Sequence, residues 1–82
     1  AEERVVGFLS ELSARLGDGG APAAAFDLPL ARGEIADVLG LTIETVSRQF
    51  SRLKADGVID LPGARRVIVL DRGALTARLA DA

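Results

Sequence analysis

Two short helical segments joined by only three residues set the strongest constraint on how this chain can fold. The first carries a short apolar stripe at Ile35, Val38 and Leu39. Gly40 interrupts that stripe, and a second helix begins after Thr42, whose hydroxyl suits an N-cap. This helix runs to Asp56, with Gly57 where helices often end in a left-handed residue. The spacing therefore predicts a helix-turn-helix.

The segments on either side complete the order of a winged helix. We expect, in chain order, a helix over 2–16, a surface loop over 17–25, an edge strand over 25–30, hairpin strands over 58–61 and 65–70, and a last helix capped by Asp71. Apolar residues every three or four positions indicate the helices. Pro29 limits its strand to a sheet edge, and Pro62-Gly63 supplies the hairpin turn. The predicted class is α+β, mostly α: a winged helix-turn-helix with a small antiparallel β-hairpin wing.

Composition removes most catalytic chemistry from this chain. Its 82 residues suffice for one small domain and include no cysteine and no histidine, so disulfides, thiolate metal ligands and the commonest general base are absent. With three Phe and no Tyr or Trp, it lacks a stacking platform for single-stranded nucleic acid. Because no apolar run could span a membrane and no signal peptide precedes the first helix, we expect a cytoplasmic protein. Since it opens without methionine, we expect a piece of a longer protein.

The two sides of the second helix differ in character. One side, within about 80° on a helical wheel, carries Ile43, Val46, Phe50, Leu53 and Gly57. The opposite arc of about 100° carries Glu44, Ser47, Arg48, Ser51 and Ala55. The first side should pack, whereas the second is short and polar, as a helix that enters a major groove about 12 Å wide must be. The alternative is a solvated surface with a weak Glu44–Arg48 ion pair.

The net charge of −2 conceals an uneven distribution. Residues 1–31 hold five acidic and two basic residues, a local charge of −3. Five of the ten cations lie in the twenty-two residues 45–66, which cover most of the second helix and part of the hairpin: Arg48, Arg52, Lys54, Arg65 and Arg66. This basic region favours contact with phosphates. For Arg65 and Arg66 the alternative is a charged strand edge that prevents pairing with another chain.

Other functions have weaker support. The glycines of 17–25 lack the preceding strand and the Gly-Lys-Ser/Thr ending of a phosphate-binding loop. Asp56 and Asp60 have no accompanying base or metal ligand, so we expect no enzyme. A winged helix that binds another protein remains the alternative function. Such a surface would offer exposed Leu, Tyr, Trp or Met anchors, and the polar arc has none.

The stretch from Arg32 to Leu53, RGEIADVLGLTIETVSRQFSRL, closely resembles the C-terminal DNA-binding domain of the Crp/Fnr family of bacterial transcription regulators. The likeness extends to nearly the whole chain. Its most specific element, ETVSR at 44–48, matches the Glu-x-x-Ser-Arg signature of the Fnr and FixK branch. In the cyclic-AMP receptor branch the position of Ser47 is usually glycine and that of Ile43 arginine. The chain is therefore similar to Fnr and FixK.

This resemblance implies roles for particular residues. Arg48 would donate to guanine, Glu44 would accept from a cytosine or adenine amino group, and Ser47 would lie against a thymine. Together they match the family's TTGAT half-site, repeated as TTGAT-N4-ATCAA and read by a recognition helix over 43–56. Contacts with the DNA backbone are implied for Arg32, Thr42, Thr45, Ser51, Arg52 and Arg65.

The resemblance also implies an organisation and partners. Residues 1–17 correspond to the end of a linker or dimerisation helix with the first helix of the domain, and 18–82 to the winged helix-turn-helix. Double-stranded DNA and a second copy are the implied partners, with RNA polymerase a further one at the loop 17–25. Effectors and cofactors belong to the family's N-terminal sensor, so none is expected in this segment. Ala31 replaces the usual Ser or Thr cap, a loss of about 0.5–2 kcal/mol.

Overall fold

Four helices surround a small sheet in the computed structural model, which describes residues 2–17 and 19–80. The helices are α1 (Glu2–Arg15), α2 (Arg32–Leu39), α3 (Ile43–Ala55) and α4 (Arg72–Ala80). The strands are β1 (Ala25–Asp27), β2 (Ile59–Asp60) and β3 (Arg66–Val69). This arrangement confirms the predicted α+β class and the winged helix-turn-helix.

The turn between α2 and α3 has the predicted length of three residues. Gly40 adopts φ 69° and ψ 34°, a left-handed conformation that costs glycine little, and the Leu41 N–H then donates to the Ala36 carbonyl at 2.8 Å. Thr42 caps α3, since its Oγ1 accepts from the Thr45 N–H at 3.1 Å. The recognition helix ends at Ala55 and not at Asp56 as predicted, because Asp56 forms its C-cap and Gly57 follows at φ 75°.

The core is built around the inner side of α3. Val46, Phe50 and Leu53 are all 0% exposed, as the helical wheel predicts. Around them lie the other buried apolar side chains, contributed by every other element: Val5, Val6, Leu9, Phe26, Leu28, Ile35, Ala36, Val58, Ile59, Val67 and Leu75. Burying apolar side chains at this density is the main stabilising contribution available to so short a chain.

Four residues that the helical pattern placed on packing sides are exposed: Leu16 just after α1, Val38, Ile43, and Leu79 near the end of α4. Val38 is 67% exposed because the inner side of α2 is centred on Ile35 and Ala36, and Val38 lies beyond its edge. Ile43 is 50% exposed. It is the first residue of α3, and its Cδ1 lies against the position of Gly33, which has no side chain to cover it.

The three strands form an antiparallel sheet in the order β1-β3-β2, so β1 is an edge strand as predicted. Phe26 pairs with Val67, and both side chains enter the core. The strand predicted over 25–30 stops at Asp27, because that residue pairs with Arg66, the first of β3. The hairpin strands are likewise shorter than predicted, at 59–60 and 66–69.

A polar cluster joins α1, the loop after it and α4. Arg72 Nη2 donates to Ser13 Oγ at 2.7 Å and to the Ala23 carbonyl at 3.0 Å. Ser13 is fully buried, and its hydroxyl donates to the same carbonyl at 2.6 Å. These polar groups satisfy one another, and their hydrogen bonds join the end of α1 to the start of α4.

The N-caps of α2 and α3 predict that adding a hydroxyl at Ala31 stabilises the protein and that removing the hydroxyl of Thr42 destabilises it. Ala31 has extended geometry (φ −71°, ψ 163°) but no cap oxygen, although Glu34 Oε1 accepts from its N–H at 3.1 Å. Ala31→Ser should raise the free energy of unfolding by about 0.5–2 kcal/mol, and Thr42→Ala should lower it by a similar amount. Urea denaturation measures both. Ala31→Val is the control without an oxygen, and an equal gain from it would contradict the capping explanation.

Candidate nucleic-acid interface

The outer side of α3 presents a compact set of polar groups. Glu44, Arg48 and Ser51 are exposed, while Ser47 is half-buried. Glu44 and Arg48 lie one turn apart, yet neither makes a hydrogen bond or ion pair with any residue in 2–17 or 19–80. The structure therefore does not contain the Glu44–Arg48 ion pair that a merely solvated surface would favour. Both side chains are available for an external partner.

The N-terminus of α3 adds hydroxyl and amide groups to this side. Thr42 is exposed, and its hydroxyl donates to Thr45 Oγ1 at 2.9 Å. The first turn of a helix has N–H groups without helical acceptors and a partial positive charge, which together favour an anion. Thr42 and Thr45, the two threonines predicted to contact a phosphate, are thus hydrogen-bonded to each other at the end of α3 that favours an anion.

The ten cations divide by whether they have an intramolecular partner. Those with hydrogen bonds or ion pairs are Arg4, Arg15, Arg32, Arg66, Arg72 and Arg78. Among the described residues, no such partner exists for Arg48, Arg52, Lys54 or Arg65. Three of these four lie on α3, and the fourth lies on the wing, defined here as the turn 61–65 with its two strands. The cations without an intramolecular partner therefore lie in the region that the sequence identified as basic.

The two arginines of the wing behave differently. Arg66 Nη1 contacts Asp27 Oδ1 at 3.2 Å, across the β1–β3 pair. Arg65 lies just before β3, its carbonyl accepts from the Leu28 N–H at 2.6 Å, and its side chain is exposed. No hydrogen bond or ion pair within the described part of the chain joins Arg65 to α3. Of the two, Arg65 is the one free to contact a phosphate.

Arg32 differs from the other predicted backbone contacts. Its side chain is half-buried, with Cζ 4.4 Å from the centre of the Phe50 ring and Nη1 3.4 Å from Ser47 Oγ. Burial lowers the pKa of its guanidinium. The structure thus joins Arg32 to a predicted base-contacting residue, a connection that spacing along the chain did not indicate. Ser51 and Arg52, the remaining predicted contacts, are exposed further along α3.

Ile43 is the residue of this surface that sequence reasoning missed. The helical wheel placed it on the packing side, but its exposed side chain stands next to Glu44 on the first turn. Its exposure could have been predicted from its position, because Ile43 directly follows the N-cap Thr42 and the first residue of a helix has few neighbours on its N-terminal side. It adds an apolar group to an otherwise polar surface.

Among the described residues, no three His, Cys, Asp or Glu side chains form a group that could hold a metal ion. None of the described helices is long and apolar enough to cross a membrane.

The fold and this surface define a winged helix-turn-helix, and comparison with known proteins supplies its family. Residues 3–78 match the Crp-like helix-turn-helix domain. The chain is 62% identical over 56 residues to the transcriptional activator protein FnrL of Cereibacter sphaeroides, covering 68% of this chain and 23% of that protein. It is 49% identical over 76 residues to the nitrogen fixation regulation protein FixK of Azorhizobium caulinodans, covering 92% and 31%.

Solved structures agree with these relatives. FixK2 from Bradyrhizobium japonicum superposes with a TM-score of 0.82 at 39% identity, over 93% of this chain and 36% of that one. The catabolite activator protein of Thermus thermophilus superposes with a TM-score of 0.74 at 29% identity, over 98% of this chain and 34% of that one. The chain belongs to the Crp/Fnr family, which confirms the predicted resemblance to its Fnr and FixK members. These relatives are transcription regulators and not enzymes, and the chain spans about a third or less of their length.

The contrast between free and paired arginines can be tested on DNA. Arg65→Gln should weaken binding to a duplex and reduce the slope of log affinity against log salt by about 1, because one phosphate contact is lost. Arg15→Gln is the matched control, since Arg15 is exposed on α1 and pairs with Glu11 at 2.7 Å. Fluorescence anisotropy at several salt concentrations measures both slopes. An equal change in the two variants would contradict a specific role for Arg65.

Proposed function

We propose that this chain is the DNA-binding module of a cytoplasmic Crp/Fnr-type transcription regulator and reads a TTGAT-like half-site in the major groove. The observation that carries the proposal is the outer side of α3, where Glu44 and Arg48 stand exposed and unpaired beside Ser47. Double-stranded DNA requires a narrow, polar, convex element of this kind. The family of the relatives supports the same function.

Each base contact follows from the donors and acceptors of the side chain. Arg48 carries a planar fork of N–H donors that matches guanine O6 and N7. Glu44 is an acceptor and pairs with an exocyclic amino group of cytosine or adenine. Ser47 is short and reaches the edge of a thymine, and the exposed Ile43 is suited to a thymine methyl group.

The contacts that fix the position of α3 on the duplex come from its start, its far end and the wing. Thr42 and Thr45 offer hydroxyl and amide groups at the helix N-terminus, where an anion is favoured. Arg65 offers an unpaired cation on the wing, and Ser51 and Arg52 offer exposed groups along α3. Such contacts position the module but carry no sequence information.

The inverted repeat TTGAT-N4-ATCAA requires two copies of the module, one for each half-site. The symmetry of such an operator corresponds to a two-fold symmetric protein. We therefore propose a homodimer as the form that binds the full site. A single copy should bind weakly because it lacks the gain in effective concentration that a linked partner provides.

Titration against duplexes that contain TTGAT-N4-ATCAA or its scrambled counterpart tests this function. We expect tighter binding to the consensus duplex at each of two salt concentrations, with the absolute affinity of both falling steeply as salt rises. Arg48→Ala should cost about 1–3 kcal/mol on the consensus duplex and relax the preference at the guanine.

Arg48→Lys is the matched control for charge. Lysine keeps the positive charge but not the planar fork, so the variant should keep affinity for the scrambled duplex and lose preference for guanine. Equal affinity of the unaltered protein for both duplexes would contradict sequence reading. An Arg48→Ala loss of the same size on every duplex would make Arg48 a phosphate contact only.

A further inference from the structure

The hydroxyl of Ser47 has a partner on the preceding helix. Arg32, the first residue of α2, extends over the ring of Phe50 and brings Nη1 to 3.4 Å from Ser47 Oγ. Phe50 is fully buried in the core, so the surface beneath the guanidinium is fixed. A planar guanidinium over an aromatic ring is attracted by both stacking and cation–π forces. The orientation of Arg32 is thus set by the core.

Little else in the described part of the chain engages this guanidinium. Arg32 Nε is buried and has no hydrogen-bond partner among the described residues, and the contact with Ser47 is the hydrogen bond that they provide. A buried donor without an acceptor is unfavourable, so Arg32 is retained at some cost to stability. A side chain that only contacts phosphate would have no need of this half-buried position.

The contact determines what Ser47 can offer to DNA. A serine hydroxyl has one hydrogen to donate and two lone pairs that accept. When Arg32 donates to one lone pair, the hydrogen and the second lone pair point elsewhere, and the guanidinium polarises the hydroxyl so that it becomes a better donor and a poorer acceptor. An oriented donor at the outer side of α3 favours a base acceptor such as thymine O4 and disfavours the cytosine amino group, which is itself a donor.

We propose that Arg32 is a positioning residue that holds the Ser47 hydroxyl as a donor toward the major groove and thereby sets a preference for thymine over cytosine at one base pair. The proposal rests on the proposed function. It differs from the phosphate contact that the family resemblance implies for Arg32, because a phosphate contact would strengthen binding to every sequence alike.

A double-mutant cycle between Arg32 and Ser47 tests this role. The variants are Arg32→Met, Arg32→Lys, Ser47→Ala and the Arg32→Met/Ser47→Ala pair. Arg32→Met keeps an aliphatic side chain over Phe50, so it should fold, which circular dichroism and thermal melting check. Each is titrated with half-site duplexes in which every T·A pair is replaced in turn by C·G or by U·A.

The unaltered protein should prefer T·A to C·G roughly tenfold at one position, the size of one hydrogen bond. Arg32→Met, Arg32→Lys and Ser47→Ala should each reduce that preference to about twofold, and the pair should reduce it no further. Lysine should fail because it lacks the stacked planar fork. Replacement of T by U removes only the methyl group, so the preference assigned to O4 should survive it.

Two matched controls separate this role from simpler ones. Ser51→Ala removes a hydroxyl one turn along α3, and Arg52→Met removes an exposed cation. Neither should change the T·A preference. In the protein without DNA, the NMR signals of the Arg32 guanidinium should shift in Ser47→Ala and not in Ser51→Ala.

Three results would overturn the proposal, and they have different meanings. Losses from Arg32→Met that are equal on all duplexes and additive with Ser47→Ala would make Arg32 a phosphate contact. An Arg32 signal that does not respond to Ser47→Ala would show that the contact is absent. If the unaltered protein prefers no duplex at all, the proposed function itself fails. The first two results would overturn only the role of Arg32 and would leave the proposed function intact.

Discussion

The burial of one side of α3 is the constraint on which the rest of the structure depends. Val46, Phe50 and Leu53 are fully enclosed by the other elements, so this helix can neither rotate nor slide without exposing core side chains. The three-residue turn before it, with left-handed Gly40, then fixes how α2 approaches. Because the inner side is fixed, the backbone positions from which Glu44, Ser47 and Arg48 extend are fixed as well, as recognition of a rigid duplex requires.

The side of each helix that packs could be predicted from the sequence, because apolar residues recur with the helical period. How deeply each of those residues is buried could not. The period of about 3.6 residues identified the buried side of α3, and Thr42 and Gly57 marked its ends. The same period placed Ile43 and Val38 inside, but a helical wheel gives an angle and not a distance from the core. Both residues lie where a helix begins or ends and where neighbours are few.

Contacts between distant residues were also beyond the sequence pattern. Ser13 and Arg72 are 59 positions apart and meet only because α1 packs against α4. Arg32 and Ser47 are 15 positions apart and meet only because the turn brings α2 across α3. The ETVSR motif identified the residues of the outer side by resemblance. The motif gave no information on which residues outside it contact those side chains, such as Arg32 with Ser47.

Electrostatics connects the composition to the proposed function. The net charge is −2, yet six of the ten cations form hydrogen bonds or ion pairs within the described residues, and the four that do not lie on α3 and the wing. The cations whose side chains have no intramolecular partner, and so are free to bind an external anion, therefore lie in one region. A weakly acidic protein of this kind should bind non-specific DNA poorly, so that discrimination depends on a few side chains.

The most direct test of the account maps the amide chemical shifts of the protein as a consensus duplex is added. The account predicts that the largest changes fall on residues 42–52 and on the wing near 63–66, with small changes along α1 and α4. It would be contradicted if the changes concentrated around the apolar side chains Phe8, Leu12 and Val38, which line one cavity, while the signals of α3 stayed in place.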